Sequence, residues 1–186
     1  MTRSPLRLLV LLAVSFTAIA LAAPAQAAAP FCGITWGSTV KEGPSGTAPG
    51  AGQNLTDVRA GQHACYDRLV LDIRGATVRS WRVEYVRQVV NDPRGDVVPL
   101  RGAADLQIVV GASDVDAAGN LTYTPANRSE LVNVTGFQTF RQVAWAGSFE
   151  GLTTVGLGVR ARLPFRVFTL NSGGTSRLVV DVAHRW

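Results

Sequence analysis

Two stretches near the ends of the folded part of the chain share one pattern. They are Arg68-Leu69-Val70-Leu71-Asp72-Ile73 and Arg177-Leu178-Val179-Val180-Asp181-Val182. In each, every second residue from the leucine is aliphatic: Leu69, Leu71, Ile73 and Leu178, Val180, Val182. An extended strand sends successive side chains to opposite faces, so each stretch has one core face. Arg68 and Asp72 then share an outer face, as do Arg177 and Asp181. The pattern predicts an all-β domain whose first and last strands are related or even paired.

The residues between them read the same way. Ser80 to Val86 alternates, with Trp81, Val83 and Tyr85 on one side and Arg82 and Glu84 on the other. A turn at Asn91-Asp92-Pro93-Arg94-Gly95-Asp96 precedes a short strand from Val97 to Leu100. Leu106, Ile108 and Val110 are in phase in the next. Asp114 to Asn120 is a polar loop, and Pro125 to Gly136 is irregular, with room for a short helix. Gln138 to Trp145 and Leu152 to Arg160 flank a compact turn at Gly147 to Gly151, which predicts a hairpin. Phe165 to Leu170, the turn Asn171 to Gly174, and Arg177 to Val182 predict another. About eight short strands without an amphipathic helix point to an antiparallel β-sandwich or a barrel.

The first residues are a processing signal. Arg3 and Arg7 are followed by an uncharged apolar run from Leu8 to Ala22 and by Ala25-Gln26-Ala27. Cleavage after Ala27 is expected, with no stable membrane anchor left behind, because the run is short for a membrane span. Residues 28–56 then form a flexible segment rich in Gly, Ser, Pro and Thr, and the sandwich occupies residues 57–186.

Removing Arg3 and Arg7 leaves sixteen basic against thirteen acidic residues, a net charge of +3. This is not the footprint of a nucleic-acid binder. It suits anionic partners such as cell-envelope polymers, and it equally suits ordinary solubility. Lys41 is the single lysine, a composition resembling that of GC-rich bacteria. Cys32 and Cys65 are the only cysteines, so one disulfide is expected in an oxidising compartment. It closes a loop worth about 3–4 kcal/mol in the chain-entropy model.

Catalytic and metal chemistry find little support. His63 and His184 read as surface or packing residues. Ser148 lies in Ala146-Gly147-Ser148-Phe149-Glu150, which lacks the pattern of a nucleophile elbow. Asp67, Asp72, Glu84, Glu150 and Asp181 read as turn or outer-face carboxylates rather than a glycosidase pair. Asp114 to Gly119 lacks ligands a calcium loop needs, and Gly156-Leu157-Gly158 lacks the helix a dinucleotide motif needs. No cofactor is implied. Four sequons, at Asn54, Asn120, Asn127 and Asn133, read as polar turns in a bacterial protein.

One strip invites a binding reading. With Val155, Leu157 and Val159 facing the core, Thr154, Gly156, Gly158 and Arg160 share the other face. Two bare glycines, continued by Arg162 and edged by Arg141, Trp145 and Phe149, offer a shallow seat for a sugar chain carrying carboxylates. The alternative is that the glycines permit a bulge or a close sheet contact.

The run from Gly136 through Trp145 to Gly151, then Thr153 to Arg160 and Pro164-Phe165-Arg166-Val167, resembles the AMIN-like domain proteins of actinobacteria. So do Trp36-Gly37-Ser38, His63 to Val70 and Arg177 to Val182. The resemblance implies a β-sandwich related to the AMIN module, which targets exported amidases and secretins by binding the cell wall. It implies an exported, non-catalytic envelope-binding domain, with peptidoglycan or another wall glycan as ligand. The alternative is a secreted protein-interaction domain that modulates a cell-wall enzyme. AMIN modules are usually attached to a catalytic or pore-forming domain; with none here, the resemblance implies non-covalent recruitment or a structural role in the wall.

Overall fold

A computed structural model describes residues 30–75 and 77–186. The leader and its cleavage site lie outside the described residues. Strands longer than five residues are eight: β2 (Asn54–Gln62), β3 (Tyr66–Arg74), β4 (Trp81–Val86), β7 (Ala104–Val110), β8 (Phe140–Phe149), β9 (Leu152–Val159), β10 (Phe165–Ser172) and β11 (Thr175–Ala183). Three two-residue strands join them: β1 (Lys41–Glu42), β5 (Val89–Val90) and β6 (Val97–Val98). β1-β4-β7-β9-β8 form a five-stranded sheet, β10-β11-β3-β2 a four-stranded one, and β5-β6 a small ribbon; every pairing is antiparallel.

The sheets pack face to face through the side chains that alternation turns inward. Leu69, Leu71 and Ile73 of β3 and Leu178, Val180 and Val182 of β11 meet Val83, Leu106, Ile108, Val155, Leu157 and Val159 in one buried cluster. Each such aliphatic side chain contributes about 1.5–3 kcal/mol by leaving water. The two like-patterned stretches are neighbours: β3 pairs with β11, Leu69 opposite Val180 and Leu71 opposite Leu178.

The hairpin turns are tighter than the composition predicts. β8 and β9 are joined by Glu150-Gly151 and β10 and β11 by Gly173-Gly174, with positive φ at all four residues. Such two-residue turns match the twist of the strands they join. Extra residues at Arg141 and Ala146 bulge β8 against β9. No helix forms between Pro125 and Gly136. That stretch instead lines the open edge of β8, with Leu131 N donating to Val143 O at 2.8 Å and Trp145 N to Arg128 O at 2.7 Å.

The N-terminal segment is held by more than its disulfide. Cys32 and Cys65 are bonded, with Cα atoms 6.4 Å apart. Beyond them Gly37 bridges Phe165, β1 adds to the edge of β4, and Gly43 N donates to Trp81 O at 2.8 Å.

One buried carboxylate links the sheets. Asp67 has no exposure and lies on the inner face of β3. It accepts hydrogen bonds from Thr139 N at 2.5 Å and Phe140 N at 3.1 Å, at the entry to β8, and lies 3.1 Å from His184 Nε2 beyond β11. A buried N–H without an acceptor is costly. Asp67→Ala is therefore expected to lower unfolding free energy by roughly 3–5 kcal/mol. Urea unfolding would reveal this; a loss smaller than ~1 kcal/mol, ordinary for surface positions, would contradict the bracketing role.

Candidate functional site

The outer face of the four-stranded sheet carries the densest arrangement of charge and aromatic surface. The antiparallel register of β3 and β11 sets Arg68 opposite Asp181 and Asp72 opposite Arg177. Each hexapeptide therefore supplies the counter-ion for the other. β10 adds Arg166 beside Asp181, and β2 adds Arg59.

Asp181 has no exposed side-chain surface, although it lies on the outward side of β11. Arg68 grips it in a fork, Nε to Oδ1 at 2.6 Å and Nη2 to Oδ2 at 2.9 Å, while Arg166 Nε donates to Oδ2 at 2.8 Å. Asp72 is shared likewise by Arg59 and by Arg177, whose Nε donates at 3.2 Å. The hydrogen bond to Asp181 raises the Arg68 pKa above its ordinary value, and Asp72 does the same for Arg59, against opposing desolvation. Counting Arg74 and Asp57, which alternation also places outward, five arginines face three aspartates. Arg68 Nη2 also donates to the Tyr66 hydroxyl at 3.2 Å, and Asp116, from the loop beyond β7, has its pKa lowered by hydrogen bonds from Asn120 and, to a lesser degree, by the charge of nearby Arg74.

Aromatic rings border this charge. The Arg166 guanidinium lies 5.5 Å from the Trp36 ring, 5.3 Å from Tyr66 and 5.2 Å from Phe168. Arg68 lies over Tyr66 and Phe168, and His63 stacks on Tyr66 at 4.6 Å. These contacts hold the arginines flat on the sheet. Trp36 continues into a groove of about 540 Å³ lined by Phe31, Ile34, Trp36, Pro164, Arg185 and Trp186.

The strip expected on β9 is arranged differently. Val155, Leu157 and Val159 do face the core. The opposite face is closed by the chain between β5 and β7. A Cβ on Gly156 would lie 3.0 Å from Leu100 Cδ1, and one on Gly158 would lie 2.0 Å from Arg101 O. The glycines allow backbone to lie directly on the sheet. Trp145 turns inward, is 7% exposed and packs on Tyr123 at 5.5 Å. Arg141, at its bulge, donates to Phe137 O, Gln138 O and Phe140 O beside a cavity of about 320 Å³. Phe149 is exposed at the hairpin tip. Arg160 and Arg162 lie near the C-terminus, on His184 O and Ser38 O. Arg160 and Arg162 thus bond different partners, and the seven residues do not converge on one open surface: Gly156 and Gly158 lie under the chain, Trp145 is in the core and Phe149 is at the hairpin tip.

The remaining candidates have structural partners. Ser148 Oγ accepts from Asp114 N and from Thr153 Oγ1, with neither histidine beside it. Asp116 caps its own loop through Ala118 N and Asn120 N, and those hydrogen bonds, Asn120 foremost, lower its pKa. Two sequon asparagines tie turns, Asn127 Oδ1 accepting from Ser129 N and Asn133 Oδ1 from Thr135 N, whereas Asn54 opens strand β2 and its Nδ2 donates to Val115 O. Among the described residues no group of three or more His, Cys, Asp or Glu is arranged to hold a metal ion.

Arg162 lies 4.8 Å over the ring of Tyr85, whose hydroxyl donates to Leu163 O at 2.7 Å. Burial pushes the Tyr85 phenol up to about 12, and that of Tyr123 likewise to about 12. The folded protein thus holds both protons more tightly than the unfolded chain, where the phenol ionises near 10.0. Their stabilising contribution is complete below pH 10 and is lost as pH rises towards 12. Absorbance titration should show both phenolates appearing only with alkaline unfolding; ionisation of either at pH 10 in the folded state would contradict their burial.

The family profile described as the AMIN-like domain matches residues 53–184, from the start of β2 to the end of β11. No curated protein and no solved structure matches the chain.

Proposed function

We propose that this chain, which belongs to the AMIN-like domain family, is an extracytoplasmic, non-catalytic module that binds anionic cell-wall glycan, peptidoglycan in particular. Family membership supports association with the cell wall. The observation that carries the ligand class is the outer face of the β10-β11-β3-β2 sheet, with its arginine excess and aromatic border.

The chemistry follows from the side chains. Guanidinium forks accept carboxylates in a planar, bidentate geometry, and aromatic faces stack on the apolar faces of sugar rings. Peptidoglycan offers both, as stem-peptide carboxylates along a repeating sugar chain. Arg59, Arg68, Arg166 and Arg177 are held by Asp72 and Asp181, so little of their side-chain entropy is lost when a polymer binds them. Nothing in this arrangement positions a nucleophile or a general acid.

The test uses the exposed arginines, because removing Arg68 or Arg166 would leave the buried Asp181 poorly paired. Arg59→Gln with Arg74→Gln is expected to keep the fold and to weaken co-sedimentation with purified peptidoglycan. The loss is roughly five- to thirtyfold, at ~0.5–1 kcal/mol for each exposed charge contact. Raised salt should mimic the double substitution. Unchanged sedimentation of the variant would remove this face from the reading. Failure of the parent protein to sediment with peptidoglycan would favour a protein partner in the envelope instead.

A further inference from the structure

The edge strand β10 is paired on one side only. Towards β11 it is matched residue for residue, from Phe165 opposite Val182 to Ser172 opposite Thr175, with no bulge. On its other side Phe165 N donates to Gly37 O at 2.8 Å. That bond sets the parity of the strand. The backbone groups of Phe165 point away from β11, and so do those of Val167, Thr169 and Asn171. Among the described residues, no hydrogen bond reaches the outward backbone groups of Val167 or Thr169.

The other edges of the two large sheets are guarded. β8 is covered by the chain at Arg128 and Leu131. β2 is capped by Ser113 at one end, through Leu55 N to Ser113 O at 2.8 Å, and by Gln62 to Gly136 O at the other. β1 is two residues long and charged. β10 from Val167 to Ser172 carries no charge, no proline and no bulge, the devices that keep a bare edge from pairing.

We propose that this edge is a self-association surface, on which β10 pairs antiparallel with β10 of a second copy of the chain, centred on Thr169. The centre follows from what bounds the free edge. Gly37 occupies the position beside Phe165, and the turn at Gly173-Gly174 ends the strand. The open span is therefore 167–171, and its midpoint is Thr169. In that register every opposed pair is compatible. Thr169 meets Thr169 of the second copy, and Val167 meets Asn171. Leu170, 46% exposed on the outer face, meets Phe168 and is covered. Arg166 meets Ser172, so the arginines of the two copies are kept apart. The central Thr169 pair is of a kind favourable in antiparallel sheets, and no like charges are opposed.

The twofold axis of such a pair stands perpendicular to the sheet. The two four-stranded sheets become one of eight strands, with their arginine-bearing faces on the same side. The pairing itself does not rest on the glycan reading; if that reading holds, a polymer would meet two adjoining sites and gain from multivalency.

Sedimentation velocity from micromolar to millimolar concentration tests the association, and placed cysteines test the register. The mass is expected to double with concentration. Val167→Pro should abolish doubling without loss of the β-sheet circular dichroism, because the Val167 N–H points away from β11. With the Cys32–Cys65 bond intact, Thr169→Cys should yield a covalent dimer under mild oxidation. Directly opposed, hydrogen-bonded residues have Cα atoms about 5.5 Å apart, within reach of a disulfide. Leu170→Cys is more exposed, but its two copies would be diagonal, roughly 8 Å apart, and should stay uncoupled. A monomeric mass at every concentration, a dimer that survives Val167→Pro, or coupling at Leu170→Cys as ready as at Thr169→Cys would overturn the proposal.

Discussion

The register between β3 and β11 is the constraint on which the rest of this structure depends. A slip by one residue would turn Leu69, Leu71 and Ile73 out of the core. It would also separate Arg68 from Asp181 and Asp72 from Arg177. The two consequences reinforce each other, because the apolar period and the charge spacing specify one alignment. Asp181 makes the charge requirement strict. A carboxylate with no exposed surface is tolerated only with its partners in place, and here Arg68 and Arg166 approach it from the two neighbouring strands. The interaction that fixes the fold thus also places arginines flat on the outer surface.

The division of labour between the two sheets follows. On the five-stranded sheet the outward side of β9 is roofed by its own chain, with Leu100 and Arg101 resting on Gly156 and Gly158. On the four-stranded sheet the outward side chains include arginines held by carboxylates and rings, with Trp36 of the N-terminal segment at the border. On the proposed function, a polymeric anion would meet the second face rather than the first. The five-stranded sheet backs the four-stranded one, tied to it through Asp67 and the shared core.

Much of the fold was legible in the residues. Alternation located seven of the eight long strands and missed β2, whose Asn54-Leu55-Thr56 start reads as the end of a polar loop, while Cys32 with Cys65 was settled by their being the only pair. The kinship of the two hexapeptides predicted their pairing, and the arginine–aspartate spacing would have predicted the register. The candidate site was less legible. A strand pattern says which residues share a face but not whether a later loop covers it, and Gly156 and Gly158 looked open for that reason. Trp145 was misplaced by one face because Ala146 and Arg141 are bulged, and a bulge reverses the parity that alternation relies on. The aromatic border escaped notice since Trp36, Tyr66 and Phe168 are far apart in sequence and meet only through strand order. Asp67 read as a turn residue, although it is the buried acceptor for the entry to β8.

The central claim is that the two like-patterned strands are locked together by Arg68 and Asp181, and a double-mutant cycle on unfolding free energy tests it most directly. With Arg68→Ala, Asp181→Ala and the pair measured by urea denaturation, a coupling of roughly 1.5–3 kcal/mol is predicted, as for a charge-assisted, largely desolvated pair. Additive losses, with coupling indistinguishable from zero, would contradict the account.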